Sequence, residues 1–225
     1  MKKIIITSGG TREYIDDVRV LTNISTGKLG AIIAETFYED TSEEVEIYYV
    51  HSKGTILPEK YTGIEYVSPN KLECIEVKDT QELIGTLANL VPECDIIIHS
   101  MAVSDFSFKK SKGIKLKSNS KKDFIKHLKK NIKKNPKVIS KIKFWNPEIK
   151  LVGFKFEVSL SHAKLIKTAL KSLKDNRADY VIANDKKEMQ DNKEHIAYII
   201  NEDHGVLGCS GKKDIAKQLK SILNI

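Results

Sequence analysis

The first thirty residues restrict the fold of this chain more than any other segment. A β-branched apolar run, Lys2 to Thr7, leads directly into Ser8-Gly9-Gly10-Thr11-Arg12, and Ser25 to Gly30 then opens a stretch with helical character. A strand followed at once by glycines and hydroxyls is typical of α/β proteins, which present backbone N–H groups to an anion at the carboxyl edge of the sheet. The segment therefore predicts a phosphorylated ligand.

Two common phosphate-binding loops do not fit this segment. The Walker loop needs a glycine five residues before its Gly-Lys pair and a Ser or Thr after it, but Thr22 and Leu29 occupy those places around Gly27-Lys28. The dinucleotide fingerprint needs closely spaced glycines directly after the first strand, whereas sixteen residues separate Gly10 from Gly27. The pattern therefore disfavours a Walker loop and a plain NAD site.

Length and cysteine usage indicate an ordinary cytoplasmic protein. The 225 residues suffice for one domain with a full core. Cys74, Cys94 and Cys209 are isolated and odd in number, which argues against a disulfide framework or a zinc site. The N-terminus has no long apolar stretch, so we expect neither a signal peptide nor a membrane span.

The net charge of +8 is concentrated in one segment, because Lys109 to Lys143 holds fifteen lysines and a single acid, Asp123. Such a segment favours an anionic ligand, and a solvated lysine-rich face is the plainer interpretation. A nucleic-acid-binding module is the alternative from another class. It would need aromatic residues interleaved with the lysines, and the few aromatic residues lie mostly at the ends of the segment. We therefore expect nucleic acid to be an unlikely partner.

Apolar runs bounded by turn residues alternate with helical stretches along the chain, which favours a mostly parallel sheet with helices on both faces. The predicted strands are Lys3 to Thr7, Val45 to His51, Ile64 to Val67, Asp95 to Ser100, Leu151 to Phe156 and Tyr180 to Ala183. The predicted helices are Gly30 to Tyr38, Thr80 to Leu90, Pro136 to about Trp145, Ser161 to Lys174 and Lys213 to Leu223. The fold class is a Rossmann-like, doubly wound α/β fold with a C-terminal β-hairpin.

Smaller features complete this prediction. His195 to Asn201 and Val206 to Gly208 form the expected hairpin. For the helix predicted from Pro136 to about Trp145, Asn135 suits the N-cap and Pro136 the first helical position. One domain over 1–225 is the economical interpretation, with a lysine-rich flap at about 106–120, where apolar residues are few.

Five separated motifs resemble one family. They are Ser8-Gly9-Gly10-Thr11-Arg12-Glu13; Val18-Arg19-x-x-x-Asn23-x-Ser25-Thr26-Gly27-Lys28-x-Gly30; Ala102-Val103-Ser104-Asp105-Phe106; Lys115-Leu116-Lys117 with Lys134-Asn135-Pro136-Lys137; and Val152-Gly153-Phe154 with Ala183-Asn184-Asp185. In this order they resemble the phosphopantothenate-cysteine ligases of coenzyme A biosynthesis, over nearly the whole chain. The chain looks like the short, stand-alone bacterial form, since no flavin-dependent decarboxylase domain precedes Met1.

The resemblance implies a reaction in two halves. The carboxylate of 4'-phosphopantothenate attacks a nucleoside triphosphate to give an acyl-nucleotide and pyrophosphate, and the amine of L-cysteine then displaces the nucleotide. It implies CTP as co-substrate, with ATP as the alternative, and Mg²⁺ as the accompanying ion, whose ligands stay unassigned. It also implies a homodimer and a separate decarboxylase as pathway partner.

The resemblance assigns two catalytic residues and the substrate contacts. Lys115 corresponds to the family lysine needed for the acyl-nucleotide step, where its charge neutralises the α-phosphate. Asn23 corresponds to the family asparagine that acts in amide formation, by orienting the acyl carbonyl or donating to an oxyanion. Arg19 is predicted to clamp the substrate phosphate, and Ala102 and Asp105 to line the acyl intermediate.

The remaining predicted residues bind the nucleotide. They are Gly9, Gly10, Ser25, Gly27, Gly30, Met101, Ala102, Asp105, Pro136, Lys137, Val138, Ile139, Phe154, Lys171, Lys174 and Asn184. The chain departs from the longer bacterial enzymes at Met101, at Lys155-Phe156-Glu157 and in the spacing of Lys171 and Lys174. These departures lie near the nucleotide and leave the choice between CTP and ATP open.

Two further groups of residues are predicted to have no catalytic role. The six histidines show no spacing typical of a triad or a metal cluster, so they are interpreted as structural or surface residues. A nicotinamide-dependent short-chain reductase would need a Tyr-x-x-x-Lys catalytic pair on a helix, and we predict that the chain has no such pair.

Overall fold

The fold is a doubly wound α/β sandwich, seen in a computed structural model that describes residues 1–39, 44–59, 70–109, 115–116 and 120–225. Among these residues the central sheet has eight strands: β1 (Lys2–Ser8), β4 (Val45–Ser52), β5 (Lys71–Val77), β6 (Ile96–His99), β9 (Lys150–Glu157), β10 (Tyr180–Asp185), β11 (Ile196–Asn201) and β12 (Val206–Ser210). Two small ribbons are β2 (Arg12–Tyr14) with β3 (Val20–Thr22) and β7 (Phe106–Phe108) with β8 (Ile132–Lys134). The helices are α1 (Lys28–Tyr38), α2 (Thr80–Leu90), α3 (Lys121–Asn131), α4 (Ile139–Trp145), α5 (His162–Asn176), α6 (Lys186–Asn192) and α7 (Lys212–Leu223).

The strand order is β12-β11-β10-β9-β6-β1-β4-β5. Strands β5, β4, β1, β6, β9 and β10 run parallel, and β11 and β12 add an antiparallel hairpin beside β10. The chain therefore starts in the middle of the sheet and winds outward in both directions from β1 and β6. Ligands of such sheets bind at the carboxyl ends of the strands where the winding reverses.

Strand β1 shows why the sheet is covered on both faces. Ile4 and Ile6 pack in one core with α1 and α7, whereas Ile5 packs in the other with α2, α4 and α5. All three isoleucines are fully buried, because alternate side chains of a strand point to opposite faces of the sheet. A continuous apolar run with no polar face is thus the expected sequence of a central parallel strand.

The predicted fold class and C-terminal hairpin are confirmed, and most predicted elements are present with bounds shifted by one or two residues. The predicted strand at 64–67 lies outside the described residues. Strand β5, both ribbons, α3 and α6 were not predicted. Within the described part of the chain, no helix is both long and apolar enough to cross a bilayer.

The predicted start of α4 is wrong. The helix begins at Ile139 with Val138 as its N-cap, three residues after Pro136. Asn135 does not cap it, because its side chain is used elsewhere: Nδ2 donates to Ser104 O at 2.9 Å, and Oδ1 accepts from Ser107 Oγ at 2.6 Å. The segment 136–138 therefore precedes the helix, and Asn135 holds its start against the loop that follows β6.

Candidate active site

The carboxyl ends of β1 and β6 are joined by a glycine turn. Gly9 O accepts from Ala102 N at 2.8 Å, and Ala102 O accepts from Thr11 N at 3.3 Å. Gly10 N donates to Ser52 Oγ at 3.0 Å, which ties the same turn to the end of β4. The turn therefore brings three neighbouring strand ends into one rigid unit.

Close approach explains why these positions hold glycine. Gly9 has φ +86°, and a Cβ there would lie 2.0 Å from Thr55 Oγ1. Gly27, the N-cap of α1, has φ +75°, and a Cβ would lie 2.1 Å from Thr55 Cγ2. L-residues rarely adopt such φ values, so a side chain at either position would disrupt the turn. Packing against Thr55 therefore explains why positions 9 and 27 hold glycine. The role of these two glycines around a phosphate stays a prediction.

A cavity of ≈ 350 Å³ opens beside this turn, at the carboxyl ends of β6 and β9. Its lining includes eight of the residues that the resemblance assigns to the nucleotide: Met101, Ala102, Asp105, Pro136, Lys137, Val138, Ile139 and Phe154. They come from three segments far apart in the chain. A cavity of similar volume lies around Cys94 and Lys150 at the amino edge of the sheet, the edge that open α/β sheets do not use for ligands.

Asn23 links the glycine turn to the cavity. Its Nδ2 donates to Ala102 O and Val103 O, both at 3.2 Å. Both protons of the amide nitrogen are therefore used, and Oδ1 is the atom with which Asn23 can contact a ligand. The predicted position at the site is consistent with this geometry, while the predicted oxyanion donation would require these two bonds to be released.

Helix α5 contributes two cavity residues that sequence reasoning missed. Ser172 and Asn176 line the cavity, whereas Lys171 and Lys174 are exposed and do not line it. Asn176 is 8% exposed, and its Nδ2 donates to Ser172 O at 2.7 Å. Because that carbonyl can only accept, Asn176 Oδ1 remains as an acceptor. Ser172 and Asn176 are four residues apart on α5 and so lie on one face of the helix, which helical periodicity could have identified.

The other predicted residues lie around the cavity. Asn184 is buried at the end of β10, where Nδ2 lies 3.5 Å from Met189 Sδ, and it does not line the cavity. Lys115 is exposed. Ser25 and Gly30 lie on the α1 side of the turn, and a Cβ on Gly30 would lie 2.5 Å from Ser8 Oγ.

Arg19 contacts protein groups in this structure. Its Nη1 lies 3.2 Å from Asp16 Oδ2, its Nη2 donates to Leu116 O at 3.2 Å, and its guanidinium carbon lies 5.3 Å from the centre of the Phe124 ring. The predicted phosphate clamp would have to compete with these contacts.

The Tyr-x-x-x-Lys spacing of short-chain reductases occurs at Tyr49 and Lys53, but on strand β4 and the turn after it. Tyr49 is fully buried, and its hydroxyl donates to Ile56 O at 2.8 Å. Burial raises the pKa of this phenol far above its ordinary value. The pair therefore cannot act as the acid of a reductase, which agrees with the prediction against that class.

His99 is a buried polar residue at the cavity wall that was predicted to be structural. Its Nδ1 lies 2.9 Å from Thr7 Oγ1, which itself accepts from Met101 N at 3.2 Å. The Thr7 proton is therefore available to His99 Nδ1, which places the ring proton on Nε2. Burial lowers the pKa of His99 from 6.5 to about 4, so the ring is neutral at physiological pH.

We expect the free energy of unfolding to decrease as the pH falls from 6.5 to about 4. The unfolded chain takes up a proton on His99 near pH 6.5, whereas the folded protein does so only near pH 4. The unfolded state binds more protons in this window, so acid destabilises the fold, by about 3 kcal/mol for this group. Burial and Lys212 also lower the pKa of His195 to about 4, which adds to the slope.

Urea unfolding of His99→Asn between pH 4 and 7 measures this effect. Asparagine retains an acceptor for Thr7 but does not titrate, so the variant should show a shallower dependence on pH. The matched control is His204→Asn at an exposed position in the terminal hairpin. Equal pH slopes for wild type and His99→Asn would contradict the assignment.

The strand order and the glycine turn define a doubly wound α/β protein, a class whose ligands bind at the carboxyl edge of the sheet. A family model described as the DNA/pantothenate metabolism flavoprotein C-terminal domain matches residues 1–224. The chain belongs to this family.

Known proteins are similar to this chain over nearly its whole length. Coenzyme A biosynthesis bifunctional protein CoaBC of Thermococcus kodakarensis is 29% identical over 221 residues, which are 97% of this chain and 50% of that protein. CoaBC of Methanocaldococcus jannaschii is 31% identical over 218 residues, 96% of this chain and 49% of that protein. The chain thus spans about half the length of these curated relatives.

Solved structures agree with the fold. The DNA/pantothenate metabolism flavoprotein from Streptococcus pneumoniae is 32% identical with a TM-score of 0.81, over 99% of this chain and 98% of that one. A Cab2 variant in complex with phosphopantothenate-cysteine is 15% identical with a TM-score of 0.71, over 98% of this chain and 86% of that one. At that identity the second likeness concerns the fold alone.

Proposed function

We propose that the protein is a phosphopantothenate-cysteine ligase of coenzyme A biosynthesis, acting through an acyl-nucleotide. One observation carries the proposal. The motifs assign Met101, Ala102, Asp105, residues 136–139 and Phe154 to one nucleotide site, and these residues line one cavity beside the glycine turn. Membership of a family whose relatives are named for coenzyme A biosynthesis supports it.

In the first half-reaction, a carboxylate oxygen of 4'-phosphopantothenate attacks the α-phosphorus of the nucleotide, and pyrophosphate leaves. Both reactants are anionic, so backbone donors and lysines must neutralise them. Gly27 has no side chain with which to cap α1, and a helix N-terminus attracts an anion. Lys137 at the cavity and Lys115 supply positive charge.

In the second half-reaction, the amine of L-cysteine attacks the acyl carbon, and the nucleoside monophosphate leaves. Asn23 lies where the glycine turn meets the cavity, so its Oδ1 can accept from the incoming amine. Of the described residues that line the cavity, Asp105 is the carboxylate. It would hold Mg²⁺ together with the nucleotide phosphates and water, which is how this ion usually binds.

We take CTP as the nucleotide, as in the bacterial enzymes that the chain resembles. The acceptor on Asn176 supports a base with an exocyclic amino group, which cytosine and adenine carry and uracil lacks. The deciding experiment measures pyrophosphate release with Mg²⁺, 4'-phosphopantothenate and cysteine, for CTP, ATP and UTP in turn. Release that depends on phosphopantothenate is expected with CTP, and no release with any nucleotide would refute the ligase.

We also propose that the protein forms a homodimer through its two ribbons. Ribbon strands of three residues are marginally stable by themselves, yet β2 packs against β7 and the ribbons expose Tyr14, Leu21, Phe106 and Ile132. Exposed apolar groups so close together favour a protein partner, and a second copy is the partner that the resemblance implies.

Ile132→Glu should convert this dimer into a monomer, because it places a charge in the apolar contact. Light scattering during gel filtration measures the mass. Phe144→Glu is the control, since Phe144 is 79% exposed on α4, outside the ribbons. A wild-type monomer, or a dimer that Ile132→Glu leaves intact, would exclude this interface.

The remaining proposals concern the next reaction of the pathway and the cellular location of the protein. The ligase product still carries the cysteine carboxyl, so we propose that a separate decarboxylase consumes it. We place the protein in the cytoplasm, where Cys74, Cys94 and Cys209, all unpaired, remain reduced.

A further inference from the structure

Asp16, a residue without an assigned role, is a buried carboxylate between the two strands of the first ribbon. Its side chain is fully buried. Oδ1 accepts from Val18 N at 3.0 Å and Arg19 N at 2.8 Å, which closes the turn between β2 and β3. Oδ2 has a different partner, Leu116 N at 3.1 Å, from a segment one hundred residues away.

Leu116 is held on both sides of its backbone. Its N–H donates to Asp16 Oδ2, and its C=O accepts from Arg19 Nη2 at 3.2 Å. Arg19 is itself paired with Asp16 and lies against the Phe124 ring of α3. Asp16 and Arg19 thus form one clamp on the backbone of Leu116, a residue of the lysine-rich segment.

The carboxylate is charged at neutral pH. Burial by itself would raise the pKa of Asp16, but N–H groups of Val18, Leu116 and Arg19, with the guanidinium charge, lower it below its ordinary value. Hydrogen bonds to an ionised acceptor are about twice as strong as neutral ones. The clamp is therefore strongest with an aspartate, and asparagine would weaken it at nearly unchanged volume.

We infer that Asp16, together with Arg19, is a positioning residue for Lys115. The N–H that Asp16 binds belongs to the peptide bond between Lys115 and Leu116, so the clamp fixes the backbone from which the lysine side chain extends. Lys115 is exposed, and a long exposed side chain reaches a phosphate reproducibly only from a fixed backbone. This inference rests on the proposed role of Lys115 in acyl-nucleotide formation.

A double-mutant cycle separates positioning from a merely structural role. Asp16→Asn should slow acyl-nucleotide formation up to about 100-fold, the effect of displacing a reacting group by about 1 Å. In a Lys115→Gln background the same change should slow it less than about twofold, because no lysine remains to be positioned. The KM for cysteine should be unchanged.

Two further variants serve as a substitute for Asp16→Asn, if that variant does not fold, and as a matched control. Leu116→Pro deletes the N–H that Asp16 binds without touching the ribbon, and it should reproduce the slow first half-reaction if Asp16→Asn fails to fold. Asp179→Asn is the matched control, because Asp179 also accepts a backbone N–H, from Leu151 at 2.8 Å, and pairs with Lys143. It lies at the amino edge of the sheet and should lower stability alone.

Hydrogen exchange at the Leu116 amide gives a readout that is independent of the reaction. The wild-type amide should be protected, and Asp16→Asn should remove the protection. An unprotected wild-type amide would overturn the inference. So would an equal fold-decrease in the rate of acyl-nucleotide formation when Asp16→Asn is made with Lys115 present and with Lys115 replaced by glutamine. Protection without pyrophosphate release from any nucleotide would instead refute the ligase and the positioning role with it, while leaving the clamp as structure.

Discussion

Lys115→Gln should lower the rate of acyl-nucleotide formation by roughly 100-fold to 1000-fold, the usual effect of removing one group that stabilises transition-state charge. Glutamine keeps most of the length of the side chain but removes the positive charge that we propose faces the α-phosphate as the carboxylate attacks. A single-turnover experiment with CTP and phosphopantothenate, without cysteine, measures this step directly.

The lysine-rich segment supplies the control for that experiment. Lys121→Gln removes an equal charge from the first turn of α3, at an exposed position. If the two variants behaved alike, the segment would contribute a diffuse field rather than one placed charge. A similar loss in both, or in neither, would contradict the assignment of Lys115.

Asn23→Asp should slow the second half-reaction by up to about 100-fold, the effect of displacing a reacting group by about 1 Å. Aspartate would direct a carboxylate at Ala102 O and Val103 O, which now accept from Asn23 Nδ2 at 3.2 Å. The repulsion would separate the glycine turn from the cavity, at the place where the amine of cysteine must reach the acyl carbon. Pyrophosphate should appear to about one equivalent per site, and the acyl-nucleotide should accumulate.

Quenched reaction mixtures analysed for acyl-nucleotide and amide product test the Asn23 prediction. Thr22→Ala is the neighbouring control, because this side chain is exposed and donates a long hydrogen bond, 3.4 Å, to Asn23 O. If Asn23→Asp formed the amide product at the wild-type rate, the motif would require the conformation of the loop and not the side-chain amide group of Asn23.

Local patterns predicted most of the fold because the central elements have strong signals. The isoleucines of β1 are buried on both faces, and α2 runs over Thr80–Leu90 as its periodicity predicts. Strand β5 was missed because it is an edge strand with partly exposed residues, so its sequence lacks the apolar run of a central strand. The ribbons were missed because strands of three residues carry little pattern.

The motifs name short contiguous runs, and the structure brings members of two of these runs to one cavity: Met101, Ala102 and Asp105, with Pro136 to Ile139. Their contact with a nucleotide stays a prediction. On α5, the resemblance implies Lys171 and Lys174, which are exposed, whereas Ser172 and Asn176 line the cavity. Which side of a helix meets a ligand depends on how the helix packs, and a short motif does not report that.

The β-branched runs and the glycines predict a doubly wound sheet with a glycine turn after its first strand, because these residues restrict the backbone locally. What surrounds that turn depends on tertiary packing. It placed Thr55 so close to Gly9 and Gly27 that no side chain fits, it directed Asn23 to the carbonyls after β6, and it joined Asp16 to Leu116. These contacts join residues far apart in the chain, and their geometry follows from the packing of whole elements rather than from any local pattern.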